Sequence, residues 1–285
     1  MPFDPAALAW EPAVTWIGHA TLLVRMGGVT LLTDPIFSER ASPVRFAGPR
    51  RVVAPGVPLD ALPPVAVAVV SHDHYDHADL PTLRALAARG TRFVVPRGMG
   101  ALLRGVGAEA VELAWWETTE LAGLRVSCVP AQHFSGRTLT DRNRRLWAGF
   151  VVENSALRLY HAGDTGYLAG FAEIGRRLGR IDLAALPIGA YLPRQIMAPV
   201  HMDPEEAVQA ALDLGAREAM GVHFGTFDLT DEPMDEPPAR FLQAAAQRGL
   251  ESRAFVLKVG ETRRLATGAV RVESPACAHL SSSRC

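Results

Sequence analysis

Cysteine is scarce in this sequence: three in 285 residues, Cys128, Cys277 and Cys285. That is too few and too scattered for a disulfide framework, and it fits a reducing compartment. Cys128 lies in the apolar run LRVSCVP, where a thiol packs as a small hydrophobe rather than acting as a nucleophile. A dominant charge of one sign is also missing. Lys and Arg number 29 against 30 Asp and Glu, for a formal net charge of -1. A dedicated nucleic-acid binder would carry a strongly basic balance, so no nucleic-acid partner is expected. No stretch approaches the roughly 20 apolar residues of a membrane-spanning helix. The N-terminal MPFDPAALAW lacks the basic-then-apolar order of a secretory signal. The expected location is cytoplasmic, with at most peripheral contact at the inner face of the membrane.

Nothing divides the chain either: there is no internal repeat and no linker. At 48% hydrophobic residues it can bury a substantial core. A single domain over 1–264 is expected, followed by a disordered Ser/Ala/Arg tail over 265–285. TLLVRMGGVTLLTDP reads as a hairpin turning at Gly27-Gly28. The Pro- and Arg-rich stretch from Pro35 to Pro64 is too punctuated for regular structure. The apolar run VAVAVV, residues 65–70, suits a buried strand, and DLPTLRALAARG a helix capped by Asp79. Further strand-like runs are RFVVP, LRVSCVPAQH, LWAGFVVE, LRLYHAGD, IDLAALPIGA and REAMGVHFG. Helical stretches fall between them near 167–178, 203–214 and 236–248. The second opens with an Asp203 cap, Pro204 at the first helical position, and Glu205 and Glu206 near the positive end of the dipole.

Chemistry concentrates directly behind VAVAVV, in SHDHYDH. Alternate residues of an extended segment share a face, so His72 and His74 can address one ion. A tighter turn then directs Asp76 and His77 towards a second. Imidazole and carboxylate donors without thiolates suit zinc, manganese or iron and disfavour a zinc-finger site. The partners should lie at other strand ends, where loops can aim side chains at a common point. His133 closes VSCVPAQH, Asp164 closes RLYHAGD, and His223 lies near the end of AMGVHFG. Singly, each could be a satisfied core or turn residue. Jointly they complete two four-ligand sites, provided that Asp164 bridges. No Ser-His-Asp or Cys-His arrangement is apparent, and the Gly-rich RGMGALLRGVG lacks a P-loop lysine context, which leaves it as turns and packing.

H-x-H-x-D-H with a distant His, a Gly-Asp and a last His resembles the metallo-β-lactamase superfamily. WIGHATLLV, LTDPIFSERASP, PAQHFSGR, DRNRRLWAGFVV, HAGDTGY, LPIGAY, HMDPEEA and HFGTFDLTDEP narrow the likeness. They resemble the branch of N-acylphosphatidylethanolamine-hydrolysing phospholipase D and its bacterial relatives. The resemblance implies an α+β fold, a four-layer αββα sandwich. It implies that His72, His74, His133 and Asp164 hold one metal, and Asp76, His77, Asp164 and His223 the other. Two divalent ions, Zn2+ before Mn2+ or Fe2+, would activate water and neutralise a phosphoryl oxygen. Asp76, Asp164 and His201 are the catalytic candidates, with His201 resembling the family histidine near the substrate phosphate. A helix-entry hydrogen bond would explain His201 equally.

His19 and Asp34 are expected to orient ligands, His161 to be structural, and Asp73 to point away from the metals. Trp115 and Trp116 are expected in the core, with the lining of an apolar groove as the alternative. Two basic loops, with Arg40, Arg45, Arg50 and Arg51, and with Arg137, Arg142, Arg144 and Arg145, are solvated faces unless they border the site mouth. The expected activity is phosphodiester hydrolysis giving N-acylethanolamine and phosphatidate. A lactonase like those acting on ascorbate 6-phosphate is the rival on the same metals, and a non-catalytic metal-binding protein the rival from another class. The partners would be a small-molecule or phospholipid substrate, a membrane surface and a second copy in a homodimer.

Overall fold

The computed structural model describes residues 5–266. In the first sheet β1 (Ala13–Gly18), β2 (Thr21–Met26) and β3 (Val29–Thr33) are antiparallel. β4 (Val67–Val69), β5 (Arg92–Pro96) and β6 (Ala110–Leu113) continue it in parallel. The second sheet begins with antiparallel β7 (Thr118–Leu121), β8 (Leu124–Val129), β9 (Gly149–Glu153) and β10 (Arg158–His161). Parallel β11 (Leu183–Pro187), β12 (Glu218–Val222) and β13 (Ala254–Phe255) complete it. The last strand, β14 (Thr262–Arg264), returns to pair with β1.

Strand alternation explains the layers. Trp16, Leu22, Leu31, Val67, Val69 and Val94 face inward, against Val126, Cys128, Phe150, Val152, Leu159 and Met220 of the other sheet. Their neighbours Ile17, Leu23, Leu32, Ala68 and Val95 face outward and pack on α1 (Leu80–Ala88) and α2 (Gly100–Arg104). The outer face of the second sheet is covered by α3 (Gly170–Leu178), α5 (Pro204–Asp213) and α6 (Glu236–Gln247), while α4 (Arg194–Met197) is a single turn before α5. Each fully buried Val, Leu or Phe contributes roughly 1.5–3 kcal/mol, far more than an exposed ion pair. The result is the expected αββα sandwich.

Local chemistry agrees with the expected turns and caps in most places. Gly27 and Gly28 both take positive φ, 56° and 78°, as a tight hairpin turn between twisted strands requires. Asp203 and Glu206 form a capping box at α5. Asp79 departs from expectation. It sits at the N-cap of α1 but makes no cap bond. Its carboxylate instead accepts from Phe37 N, Ser38 N, Ser38 Oγ and Thr82 Oγ1, which ties the long loop to the helix. The Gly-rich segment expected as turns contains α2. The fold also runs past the expected boundary at 264, since Leu265 is buried between the sheets. The rest of the expected tail, with Cys277, His279 and Cys285, lies outside the described residues from 267 onward. Cys128 and Trp115 belong to the inter-sheet core, and Trp116 packs against the second sheet's outer core.

Candidate metal centre

All seven proposed ligands meet at one end of the sandwich, on loops that leave strand ends. The 72–77 loop follows β4, His133 follows β8, Asp164 follows β10 and His223 follows β12. Gly163 makes the approach of Asp164 feasible. With φ 60°, it lies so close to the first sheet that a Cβ there would be 2.4 Å from Ser71 Cβ.

His72, His74, His133 and Asp164 form one cluster, with ligand atoms within 4.8 Å of one another. A second groups Asp76, His77 and His223 with His19, and a third groups Asp164, His201 and His223. Asp164 faces all of them. Its Oδ2 lies 3.2 Å from His77 Nε2, 3.8 Å from His133 Nε2 and 3.9 Å from His72 Nε2, while Oδ1 lies 3.1 Å from His223 Nε2. His77 Nε2, His223 Nε2 and Asp164 Oδ1 are buried and have no hydrogen-bond partner. Leaving such groups unpaired costs about 1–3 kcal/mol each. Their convergence, with only nitrogen and oxygen donors, fits a divalent cation of the zinc, manganese or iron class.

Neighbouring residues set the tautomers. His77 Nδ1 donates to Asp34 Oδ2 (2.8 Å), and His133 Nδ1 to Val200 O (2.9 Å). His72 Nδ1 lies 2.9 Å from Ser71 Oγ, which in turn donates to Asp34 Oδ2 (2.7 Å). Each arrangement turns a bare Nε2 inward. His74 does the opposite, with Nδ1 only 2.8 Å from His72 Nε2. Asp34 thus orients a histidine in both clusters, directly through His77 and by way of Ser71 to His72. It also accepts from His161 Nε2 at 2.8 Å. His161 was expected only as a structural residue, and nothing in its local sequence signals a bond to Asp34, 127 positions away. His19 orients a carboxylate rather than a histidine, with Nε2 2.9 Å from Asp76 Oδ2. His19, Asp34 and His223 all hold positive φ (54°, 36° and 62°), a cost of order 1–3 kcal/mol each that clusters at functional sites.

Electrostatics divides the imidazoles. Burial, reinforced by neighbouring histidines, holds His72 well below its ordinary pKa, and burial does the same for His133. Burial also lowers His201 to about 4. Burial works against His77 and His223 as well, but Asp164 overcomes it and raises both, His223 to about 9. Asp34 resists burial too, and His161 and His77 keep it below the usual carboxylate range.

The cluster opens into a cavity of about 460 Å³ lined by His74, Asp76, His133, Asp164, His201 and His223 together with Phe134, Arg142, Ile196 and Leu229. His201 precedes α5, its backbone N donates to Met197 O (2.7 Å), and its buried Nδ1 has no partner. Asp73 points away from the cluster, to Arg145 Nη1 at 2.6 Å. The basic loops are largely committed to internal bonds. Arg40 and Arg51 donate to backbone carbonyls, Arg50 pairs with Glu39, and Arg137 reaches Asp73 O and Ala78 O.

Residues 30–224 match the family described as the β-lactamase superfamily domain. An uncharacterized protein of Mycobacterium tuberculosis is 46% identical over 240 residues, which span 82% of this chain but 64% of the mycobacterial one. The N-acyl-phosphatidylethanolamine-hydrolyzing phospholipase D 1 of Caenorhabditis elegans is 40% identical over 85% of this chain and 72% of its own. Among solved structures, the metallo hydrolase Igni18 of Ignicoccus hospitalis superposes with a TM-score of 0.68 at 24% identity, over 88% of this chain and 97% of its own. With its αββα layers and these relatives, the chain belongs to the metallo-β-lactamase superfamily, in the branch that holds the N-acyl-phosphatidylethanolamine-hydrolyzing phospholipases D.

Proposed function

We propose that this chain is a dinuclear metal-dependent phosphodiesterase, acting as a phospholipase D on N-acylphosphatidylethanolamine. The observation that carries the reading is that the H-x-H-x-D-H loop and the ends of β8, β10 and β12 form adjoining clusters around one carboxylate, Asp164. His72, His74, His133 and Asp164 would hold one ion, and Asp76, His77, Asp164 and His223 the other, with zinc best suited to the donors. When bound, two such ions supply an activated water and positive charge for a phosphoryl oxygen. The chain's own residues do the rest. Asp164 fixes the spacing of the two half-sites, and Asp34 and Ser71 hold the histidine tautomers. His201, kept neutral by burial, retains one N–H to hydrogen-bond the leaving oxygen. That role is favoured over helix entry alone because its side chain lines the cavity while its backbone meets Met197.

A lipid substrate is supported by the cavity mouth. Of eight exposed large hydrophobic side chains among the described residues, Ile196 and Leu229 line the cavity itself. Val44 lines a second cleft with Tyr75 and Arg137, and Phe46 and Leu139 are exposed in the loops that hold Val44 and Arg137. Exposed apolar side chains at the cavity, Ile196 and Leu229, suit peripheral contact with a phospholipid surface. No helix among the described residues is long and apolar enough to cross a membrane.

The test is to load the purified protein with zinc, manganese or iron and supply N-acylphosphatidylethanolamine, a lactone and a β-lactam separately. N-acylethanolamine and phosphatidate, lost on chelation, are the expected products. A higher kcat/KM for the lactone than for any phosphodiester would assign the site to lactone hydrolysis instead. Metal retention with no turnover of any ester would favour a binding protein.

A further inference from the structure

The loop after His133 is pinned to the H-x-H-x-D-H loop by its one non-ligand acid. Asp73 is fully buried between His72 and His74. Its Oδ2 meets Arg145 Nη1 at 2.6 Å, its Oδ1 accepts from Gly136 N at 2.7 Å, and its carbonyl accepts from Arg137 Nη1 at 2.6 Å. Asp141 closes the loop on itself, accepting from Arg137 N, Thr138 N and Arg145 Nη1. Arg137 and Arg145 are consumed in this scaffold.

Arg142 is not. It is exposed and has no carboxylate partner among the described residues, yet it is the only Arg or Lys that lines the metal-site cavity. Its guanidinium sits 4.5 Å over the ring of Phe134. That ring in turn packs against His74 and His133, at centroid distances of 4.6 and 4.8 Å. A guanidinium held on an aromatic face keeps its N–H fork free and oriented. Phosphate oxygens match that fork in geometry and charge.

We infer that Arg142 is the residue that reads substrate charge: it binds an anionic phosphate-ester oxygen just outside the metal cluster and sets a preference for anionic over neutral esters. Asp73, Arg145 and Asp141 serve as the scaffold that presents it. The inference rests on the phosphodiesterase reading above, but its first test does not require turnover.

That test uses zinc-loaded protein and phenylphosphonate, a non-hydrolysable phosphate mimic, with affinity measured by calorimetry at low and moderate salt. Arg142→Ala should weaken binding about tenfold and flatten its salt dependence, and Arg142→Lys should recover part of the affinity. Metal content should be unchanged, because Arg142 contacts no ligand atom. Arg144→Ala, equally exposed but outside the cavity, is the control for general loop charge. With bis(p-nitrophenyl) phosphate and p-nitrophenyl acetate as substrates, the anionic-to-neutral preference in kcat/KM should fall about tenfold in Arg142→Ala. Wild-type phosphonate affinity and salt slope in Arg142→Ala, or an equal loss in Arg144→Ala, would overturn the inference. If the wild type cleaves no phosphodiester, the phosphodiesterase reading fails, while the phosphonate measurement still decides the role of Arg142.

Discussion

Replacing Asp34 by Asn tests whether one buried carboxylate sets the tautomers of both half-sites. Asp34 accepts four hydrogen bonds, from Ser71 N (2.6 Å), Ser71 Oγ (2.7 Å), His77 Nδ1 (2.8 Å) and His161 Nε2 (2.8 Å). Three of them fall on Oδ2. An Asn that keeps its carbonyl towards Ser71 N presents an NH2 group to three donors. His77 can then re-pair only by moving its proton to Nε2, the nitrogen that faces Asp164. That removes a ligand lone pair from one cluster, and loss of the Ser71 relay loosens His72 in the other. Replacing an outer partner of this kind typically costs 10–100-fold in metal affinity, about 1.4–2.7 kcal/mol. Losing one or two hydrogen bonds to a charged acceptor costs the metal-free fold about 2–5 kcal/mol. Competition with a chromogenic chelator reads the first quantity, and chemical unfolding of the metal-free protein the second. Ser71→Ala, which breaks only the relay, should give a smaller loss confined to one ion. Wild-type affinity for both ions in Asp34→Asn would refute the tautomer argument.

Further outcomes follow from the same geometry. Asp164→Ala should lower metal content at both half-sites and abolish turnover, and retention of one tightly held ion with activity would count against a shared ligand. His201→Ala should leave metal content intact and slow release of an alkoxide at least about tenfold more than release of a nitrophenolate, since a hydrogen bond to a charged group is worth about 1.5–3 kcal/mol; equal losses would reassign His201 to positioning. His223, raised to about 9 by Asp164 against the pull of burial, is protonated at pH 7 in the metal-free chain and must lose that proton to bind metal. Zinc titrations in buffers of different ionisation enthalpy should therefore show release of about one proton or more, with affinity falling as pH drops from 9 towards 6. Buffer-independent heats would contradict this.

The legible parts of the site were those with short-range pattern. H-x-H-x-D-H stands out because alternation and an apolar strand before it leave few other uses for three imidazoles. His133, Asp164 and His223 were legible as strand ends, although any one alone resembles a turn residue. Asp34 and His161 lie 127 positions apart, and a hydrogen bond between two sheets leaves no local periodicity to detect. The same limit applies to Asp79, whose partners Phe37 and Ser38 sit in a loop remote in sequence. It was legible as a cap by position, but tertiary acceptance won over the local bond. Short β6 and β7, half-exposed and rich in Glu and Thr, escaped notice because they lack the apolar signature of the central strands.

Asp34 and the 72–77 loop belong to the first sheet, while His161, His133, Asp164 and His223 belong to the second. At the opposite end of the sandwich, polar links between the sheets among the described residues include Asn154 Nδ2 to Met26 O at 2.9 Å and Arg263 to Glu218 at 3.1 Å. The molecule is therefore fastened like a book at both edges, and at one of them the clasp includes the metal ligands. An ion bound only to the closed form adds about 4 kcal/mol at a thousandfold excess over its Kd, and all of that resists parting of the pages at the ligand edge. Stripping the ion should accordingly speed hydrogen exchange at Ala148, whose N–H donates across that edge to Ser71 O at 2.9 Å, and leave the Gly27-Gly28 edge unaltered. Loss of the metal then loosens the same edge that its ligands hold closed.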